Sequence, residues 1–146
     1  MDLNHGKYLG VDYGDVRTGI AECDISGLIA SGICTVKEGG MRNTAVRVAK
    51  EASERSCKKI IIGLPRNMDG SEGFRSEAVR AFAAILAEIT DIPIVFYDER
   101  MTTMQAYRVF DQTGAYGKRR RENIDTLSAQ IILQNYIDAE RNGSIK

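Results

Sequence analysis

Cysteine and histidine are scarce in this chain of 146 residues, three of the first and one of the second. Cys23, Cys34 and Cys57 are odd in number, widely spaced and form no C-x-x-C pair. That pattern argues against a disulfide framework or a structural zinc site and predicts a reducing, cytoplasmic setting. No apolar run approaches the ~20 residues that span a bilayer. Residues 1–7 lack the apolar stretch of a secretory signal. Neither sign of charge is in excess, since 20 Lys and Arg balance 20 Asp and Glu. A chain that grips nucleic acid through its phosphates is more often basic overall, so cations serving that purpose here must be concentrated locally. No internal repeat, low-complexity tract or linker interrupts the sequence, and its length predicts one domain over residues 1–146.

What is present is an alternation of apolar stretches. Residues 8–13, 18–23 and 28–36 read as three extended segments, the third despite Gly32, with Gly14-Asp15 as a hairpin turn between the first two. Residues 43–55 predict a helix with Ala45, Val48, Ala49 and Ala52 on one face. Residues 59–64 form a continuous apolar run closed by Pro65, the signature of a parallel strand buried on both faces. After an exposed loop over 65–73, residues 74–89 predict a helix with Ala78, Phe82, Ile85 and Ile89 at helical spacing. Residues 92–97 predict a further strand. A helix is expected to start at Thr102, whose spacing to Gln105 fits a capping box. Residues 113–122 read as a Gly- and Arg-containing loop, and 123–141 as a terminal helix stopped by Asn142-Gly143. The order β-β-β-α-β-α-β-α predicts an α/β fold: a five-stranded mixed sheet with helices on both faces, right-handed crossovers, and a crevice at the carboxyl ends of the parallel strands.

Three acids are placed to meet in that crevice. Asp12 lies in the first apolar strand, where Asp is disfavoured and seldom buried without a partner. Glu99 follows the strand 92–97, flanked by Asp98 and Arg100; strand alternation does not choose between Glu99 and Asp98. Asp125 opens the last helix, with Ala129, Ile132 and Tyr136 on the same stripe. An acid in a first turn can serve the helix dipole alone, but an inward position needs a further reason. Clustered carboxylates are ordinarily compensated by a hard divalent cation with oxygen ligands. Just ahead of Asp125, Lys118, Arg119, Arg120 and Arg121 put four cations in a row, suited either to a solvated surface or to steering a polyanion.

The segments Asp12-Tyr13-Gly14-Asp15-Val16-Arg17-Thr18-Gly19, Gly63-Leu64-Pro65-Arg66-Asn67-Met68-Asp69-Gly70, Asp98-Glu99-Arg100-Met101-Thr102-Thr103 and Lys118-Arg119-Arg120-Arg121 with Ile124-Asp125 resemble the YqgF (RuvX) family. The likeness runs from about residue 7 to 139, with the four blocks in order. That family comprises RNase H-like proteins described as Holliday junction resolvases and as nucleases of pre-16S ribosomal RNA. The resemblance implies an RNase H-like fold with Asp12, Glu99 and Asp125 as an acidic triad, and Arg17, Asn67, Thr102, Thr103 and Arg120 lining the site. Met101 stands where the family commonly has Leu, Thr126-Leu127-Ser128-Ala129 replaces a run that usually carries two alanines, and residues 28–36 lack a proline often found there. None of these departures touches the three acids.

The expected activity is that of a hydrolase: a nuclease dependent on Mg²⁺ or Mn²⁺ held by Asp12, Glu99 and Asp125. Arg17 and Lys118, Arg119, Arg120 and Arg121 would hold flanking phosphates, and Asn67, Thr102 and Thr103 the sugar-phosphate backbone. Tyr13, Phe74 and Tyr116 are the aromatic residues near these motifs, so backbone and shape readout is expected over base stacking. The expected partner is structured RNA or branched DNA, including the precursor of the small ribosomal subunit, met as a monomer or homodimer. Two rivals differ in class. Asp12-Tyr13-Gly14 with Gly19 also resembles the first phosphate loop of actin-like nucleotide-binding folds, which need a second domain. A non-catalytic nucleic-acid-binding assembly factor could keep the same acids.

Overall fold

The computed structural model describes residues 6–66, 69–98 and 118–143, with the backbone alone for 118–125. The strands are β1 (Lys7–Asp12), β2 (Thr18–Cys23), β3 (Ala30–Val36), β4 (Cys57–Leu64) and β5 (Ile94–Asp98). The helices among the described residues are α1 (Met41–Glu54), α2 (Phe74–Ile89) and α3 (Lys118–Arg141). The five strands form one sheet in the order β3-β2-β1-β4-β5. β1 pairs antiparallel with β2, as β2 does with β3. β4 is parallel to both β1 and β5. The mixed sheet expected from the alternation of patterns is the one observed.

Strand parity sorts the core into two layers. Leu9, Val11, Ile20, Ile60, Ile62 and Leu64 face α1 and α2, where they meet Ala45, Val48, Ala52, Phe82 and Leu86. Tyr8, Ala21, Cys23 and Ile61 face α3, against Ala129, Ile132, Leu133, Tyr136 and Ile137. The apolar run of β4 is therefore buried on both faces, as its composition predicts.

Several boundaries depart from the sequence reading. The link between β1 and β2 is five residues long, Tyr13 to Arg17, rather than a two-residue turn at Gly14-Asp15. It closes so tightly that a Cβ on Gly14 would meet the Arg17 carbonyl oxygen. Thr18 Oγ1 accepts from the Gly14 N–H at 3.3 Å and lies 3.3 Å from the Gly14 carbonyl. β3 begins at Ala30 instead of residue 28, because the Asp24 carboxylate accepts the Leu28 and Ile29 N–H groups at 2.9 and 3.1 Å and holds them in a turn. In α2 the buried stripe is Ser76, Val79, Phe82, Ala83 and Leu86, with Ala78, Ile85 and Ile89 on its flank. α3 starts at Lys118, so residues 118–122 are helical rather than loop. Lys, Arg and Glu are good helix formers, and a run of charge does not oppose a helix exposed to water. The expected helix at Thr102 lies outside the described residues.

Candidate active site

Asp12 ends β1, and its place follows from parity and register. Tyr8 and Gly10 lie on the α3 side of the sheet, so Asp12, two residues further, shares that side. It is half-buried. Its partner on β2 is Gly19. On the other side Val11 pairs with Ile62, and the register continued by one residue sets Gly63 beside Asp12. A carboxylate flanked by glycine on both neighbouring strands is not crowded by cross-strand side chains. Glycine inside strands often marks the approach of a ligand or of another backbone. Sequence reasoning missed this role for Gly19 and Gly63, since register is what makes them neighbours of Asp12.

α3 runs across this face antiparallel to β1. Its carboxyl half meets the start of the strand: the Tyr8 and Tyr136 rings are 6.0 Å apart, and the Tyr8 hydroxyl donates to Glu140 Oε1 at 2.7 Å. One turn or two earlier, Leu133 and the Ala129 carbonyl press on Gly10. On β3, Gln134 bonds the Ala30 N–H at 2.9 Å while Thr126 lies against Gly32, further along the strand. Gly10, Ala21 and Gly32 are paired in one row across three strands, a shallow furrow that lets the helix descend onto the sheet. Residue 125 directly precedes Thr126, which lies over Gly32 in the same row as Gly10. The Asp125 side chain is not among the described residues.

β5 supplies the other edge. Ile94 and Phe96 pack toward α1 and α2, while Val95 and Tyr97 pack toward α3. Asp98 follows the first parity, and its Oδ2 is 4.0 Å from Arg66 Nε. Asp98 is thereby engaged on the side of the sheet away from Asp12. Glu99 lies outside the described residues, as do Asn67, Thr102 and Thr103. Arg17, half-buried, stands in the tight link that follows Asp12. Lys118, Arg119, Arg120 and Arg121 form the first turn of α3, the end of that helix which the antiparallel course brings toward the carboxyl end of β1. No cluster of three His, Cys, Asp or Glu side chains suited to a metal occurs among the described residues; of the expected triad, Asp12 alone has its side chain among them.

Packing and hydrogen bonds fix the elements on either side of Asp12. Tyr13, next to Asp12 but on the opposite face, stacks on Phe82 with centroids 4.4 Å apart. Burial, then the Asp15 charge, pushes its hydroxyl pKa up, so it stays neutral. At the far end of α3, Lys59 Nζ donates to Tyr136 Oη at 2.9 Å and to Glu140 Oε2 at 3.1 Å. This polar knot locks the helix axially against β1 and β4.

Comparison with known proteins agrees with this fold. A family model, RuvX, described as Holliday junction resolvase, matches residues 6–139. A relative from Thermoanaerobacter pseudethanolicus bearing the name "Putative pre-16S rRNA nuclease" is 39% identical over 93% of this chain and 99% of its own. One of the same name from Myxococcus xanthus is 41% identical over 92% and 89%. Among solved structures, Thermus thermophilus RuvC in complex with a Holliday junction substrate superposes with a TM-score of 0.60. The match has 15% identity and covers 94% of this chain and 97% of the other. The fowlpox virus Holliday junction resolvase superposes with a TM-score of 0.54 at 15% identity, over 91% and 99%. At that identity the likeness is one of fold, and the fold is RNase H-like.

Proposed function

The chain belongs to the RuvX family, described as Holliday junction resolvases, and on that footing we propose that it is a metal-dependent nuclease acting on structured nucleic acid. Its proposed task is 5′-end processing of pre-16S ribosomal RNA in the cytoplasm, the substrate named for its relatives. The observation that carries this reading is the position of Asp12: a half-buried acid at the carboxyl end of β1, flanked by Gly19 and Gly63, on the face crossed by α3. The glycines on the two neighbouring strands leave room for an ion to approach the carboxylate. Asp12 fits the donor chemistry of Mg²⁺ or Mn²⁺, and Glu99 and Asp125 would complete the oxygen set.

Such an ion, when bound, supplies an activated water and stabilises the leaving oxygen. The chain's own part is placement. Asp12 stands on a strand fixed by pairing on both sides. Asp125 stands on a helix pressed onto that strand. Arg17 and the cations at 118–121 hold phosphates to either side of the scissile bond by charge-assisted hydrogen bonds, and Asn67, Thr102 and Thr103 contact the sugar-phosphate backbone.

A second reading, resolution of four-way DNA junctions, is favoured by the description of the family itself. One experiment separates them: incubate the protein and its Asp12→Asn variant with Mn²⁺ and labelled pre-16S RNA fragments, single strands and junctions. The nuclease reading expects cutting of the RNA by wild type and none by the variant. Cutting confined to junctions selects the second reading. Binding without cutting selects a non-catalytic assembly factor, and an Asp12→Asn protein as active as wild type removes Asp12 from the mechanism.

A further inference from the structure

The carboxyl end of β1 opens on its other face into a cleft that the acidic site does not use. The cleft, of about 260 Å³, is lined by Tyr13 and Asp15 on one side and by Phe74, Arg75 and Val79 of α2 on the other. Pockets for drug-sized ligands run from about 300 to 1,000 Å³, so this one has room for a single flat ring system. Phe74 is 84% exposed, the most exposed large apolar side chain among the described residues. Its backbone is nonetheless held firmly. The buried Ser76 hydroxyl donates to the Pro65 carbonyl, tying the start of α2 to the end of β4. Glu72, just before the helix, is clamped by Arg80 at 2.6 and 2.7 Å. With Glu72 so occupied, Arg75 makes no ion pair or hydrogen bond among the described residues. Gly73, the residue that caps the start of α2, offers no side-chain hydrogen bond to the first N–H groups of the helix.

We propose that this cleft is a subsite for one unpaired nucleobase of the substrate, stacked on Phe74 with its phosphate on Arg75 and the first turn of α2. It rests on the nuclease reading and adds to it a requirement for an unstacked nucleotide beside the cut. Three features converge on a nucleotide rather than a peptide or lipid. An exposed ring on a tethered helix start offers a π-face to any base, and a cation with an uncapped helix start suits a phosphate. The Asp15 carboxylate on the opposite lip repels phosphate yet accepts hydrogen bonds from base amino groups. The base therefore enters between Phe74 and Asp15, while its phosphate stays on the Arg75 side. Tyr13 follows Asp12 directly in the chain, ~3.8 Å from Cα to Cα, so the cleft and the acidic site open at the same end of β1, on opposite faces of the sheet, and a strand passing over that end reaches both. Base stacking was not expected of a chain with so few aromatics near its motifs; one exposed ring is enough.

The test uses short RNAs carrying 2-aminopurine at an unpaired position or within a duplex, bound to full-length protein in EDTA so that nothing is cut. Phe74→Ala removes a ring that buries little, and Phe74→Trp preserves stacking. Wild type and Phe74→Trp are expected to quench the unpaired fluorophore. Phe74→Ala is expected not to, and to bind that RNA about 5- to 150-fold more weakly, the range for loss of one base–aromatic stack, with duplex binding unchanged. Equal quenching and affinity in Phe74→Ala overturns the subsite, even if wild type proves an active nuclease. A wild-type protein that binds and quenches but cuts nothing with Mn²⁺ overturns the nuclease reading and leaves the subsite standing. Failure of wild type to bind either RNA overturns the subsite.

Discussion

Gly10 of β1 and Leu133 of α3 touch only because one of them has no side chain: a Cβ on Gly10 would lie 2.7 Å from Leu133 Cβ and 2.9 Å from the Ala129 carbonyl oxygen. The same helix meets Gly32 of β3, where a Cβ would lie 3.0 Å from Thr126 Cβ. Ala21 lies between these glycines in the same row. The depth at which α3 lies on the sheet is set by this row, and with it the height of residue 125 above the sheet.

Gly10→Ala is therefore expected to lift or tilt α3. Overpacking of this kind costs about 1–3 kcal/mol. In a chain of this size that lowers Tm by several degrees. Nuclease activity should fall further than the loss of folded protein explains, because α3 carries Asp125. Gly39→Ala is the control, since a Cβ there would meet nothing within 4 Å. Thermal melting and activity measured well below Tm check the pair. Unchanged activity in a folded Gly10→Ala protein would separate the seating of α3 from the site.

The cations at 118–121 predict a salt signature that zero net charge hides. Each phosphate contact released contributes ~0.7–0.9 to the slope of log K against log salt. Replacing Lys118, Arg119, Arg120 and Arg121 together by Gln should reduce that slope by up to about 3.6 and weaken binding to all sequences alike. Binding isotherms at four salt concentrations measure it. An unaltered slope would assign the run to solvated surface.

Much of this was legible in the chain. The apolar run of β4, the strand 18–23 and the helix over 74–89 announced themselves through composition and period, because burial on one or two faces dictates those patterns. Asp12 was legible as an acid where a strand does not want one. What the pattern could not show was register. Only pairing makes Gly19 a neighbour of Asp12 and aligns Gly10 with Gly32. The sheet sets Asp98 in the parity of Ile94 and Phe96, with its Oδ2 4.0 Å from Arg66 Nε, while Glu99 lies outside the described residues. The start of α3 was misplaced because Gly117 and four cations resemble a loop, whereas helix propensity in water favours those very side chains.

The knot joining Tyr8, Lys59, Tyr136 and Glu140 predicts how stability depends on pH. Burial pushes the Glu140 pKa up, but hydrogen bonds from Tyr8 and Lys59 outweigh it, and the net shift is downward. Its contribution is present above the ordinary Glu value of ~4.3 and is lost as pH falls through the lowered one. Burial, then the bond to Glu140, raises Tyr8 to about 12. Its contribution is complete below pH ~10 and disappears between there and about 12, amounting to at most ~2–3 kcal/mol. Chemical denaturation across pH should show both limbs. Glu140→Gln should flatten the acid one, and Tyr8→Phe the alkaline one.

Metal binding and stability should be linked through Asp12. If folding gathers like charges at the end of β1, their repulsion is relieved either by a divalent ion or by removing one charge. In EDTA, Asp12→Asn is then expected to melt no lower than wild type, and higher if the repulsion is large. With Mn²⁺ at 100 times its dissociation constant, wild type should gain about 2.7 kcal/mol. The variant, short of one ligand, should gain far less. Melting curves with and without the ion decide this without any nucleic acid present. An equal gain in both proteins would place the ion away from Asp12.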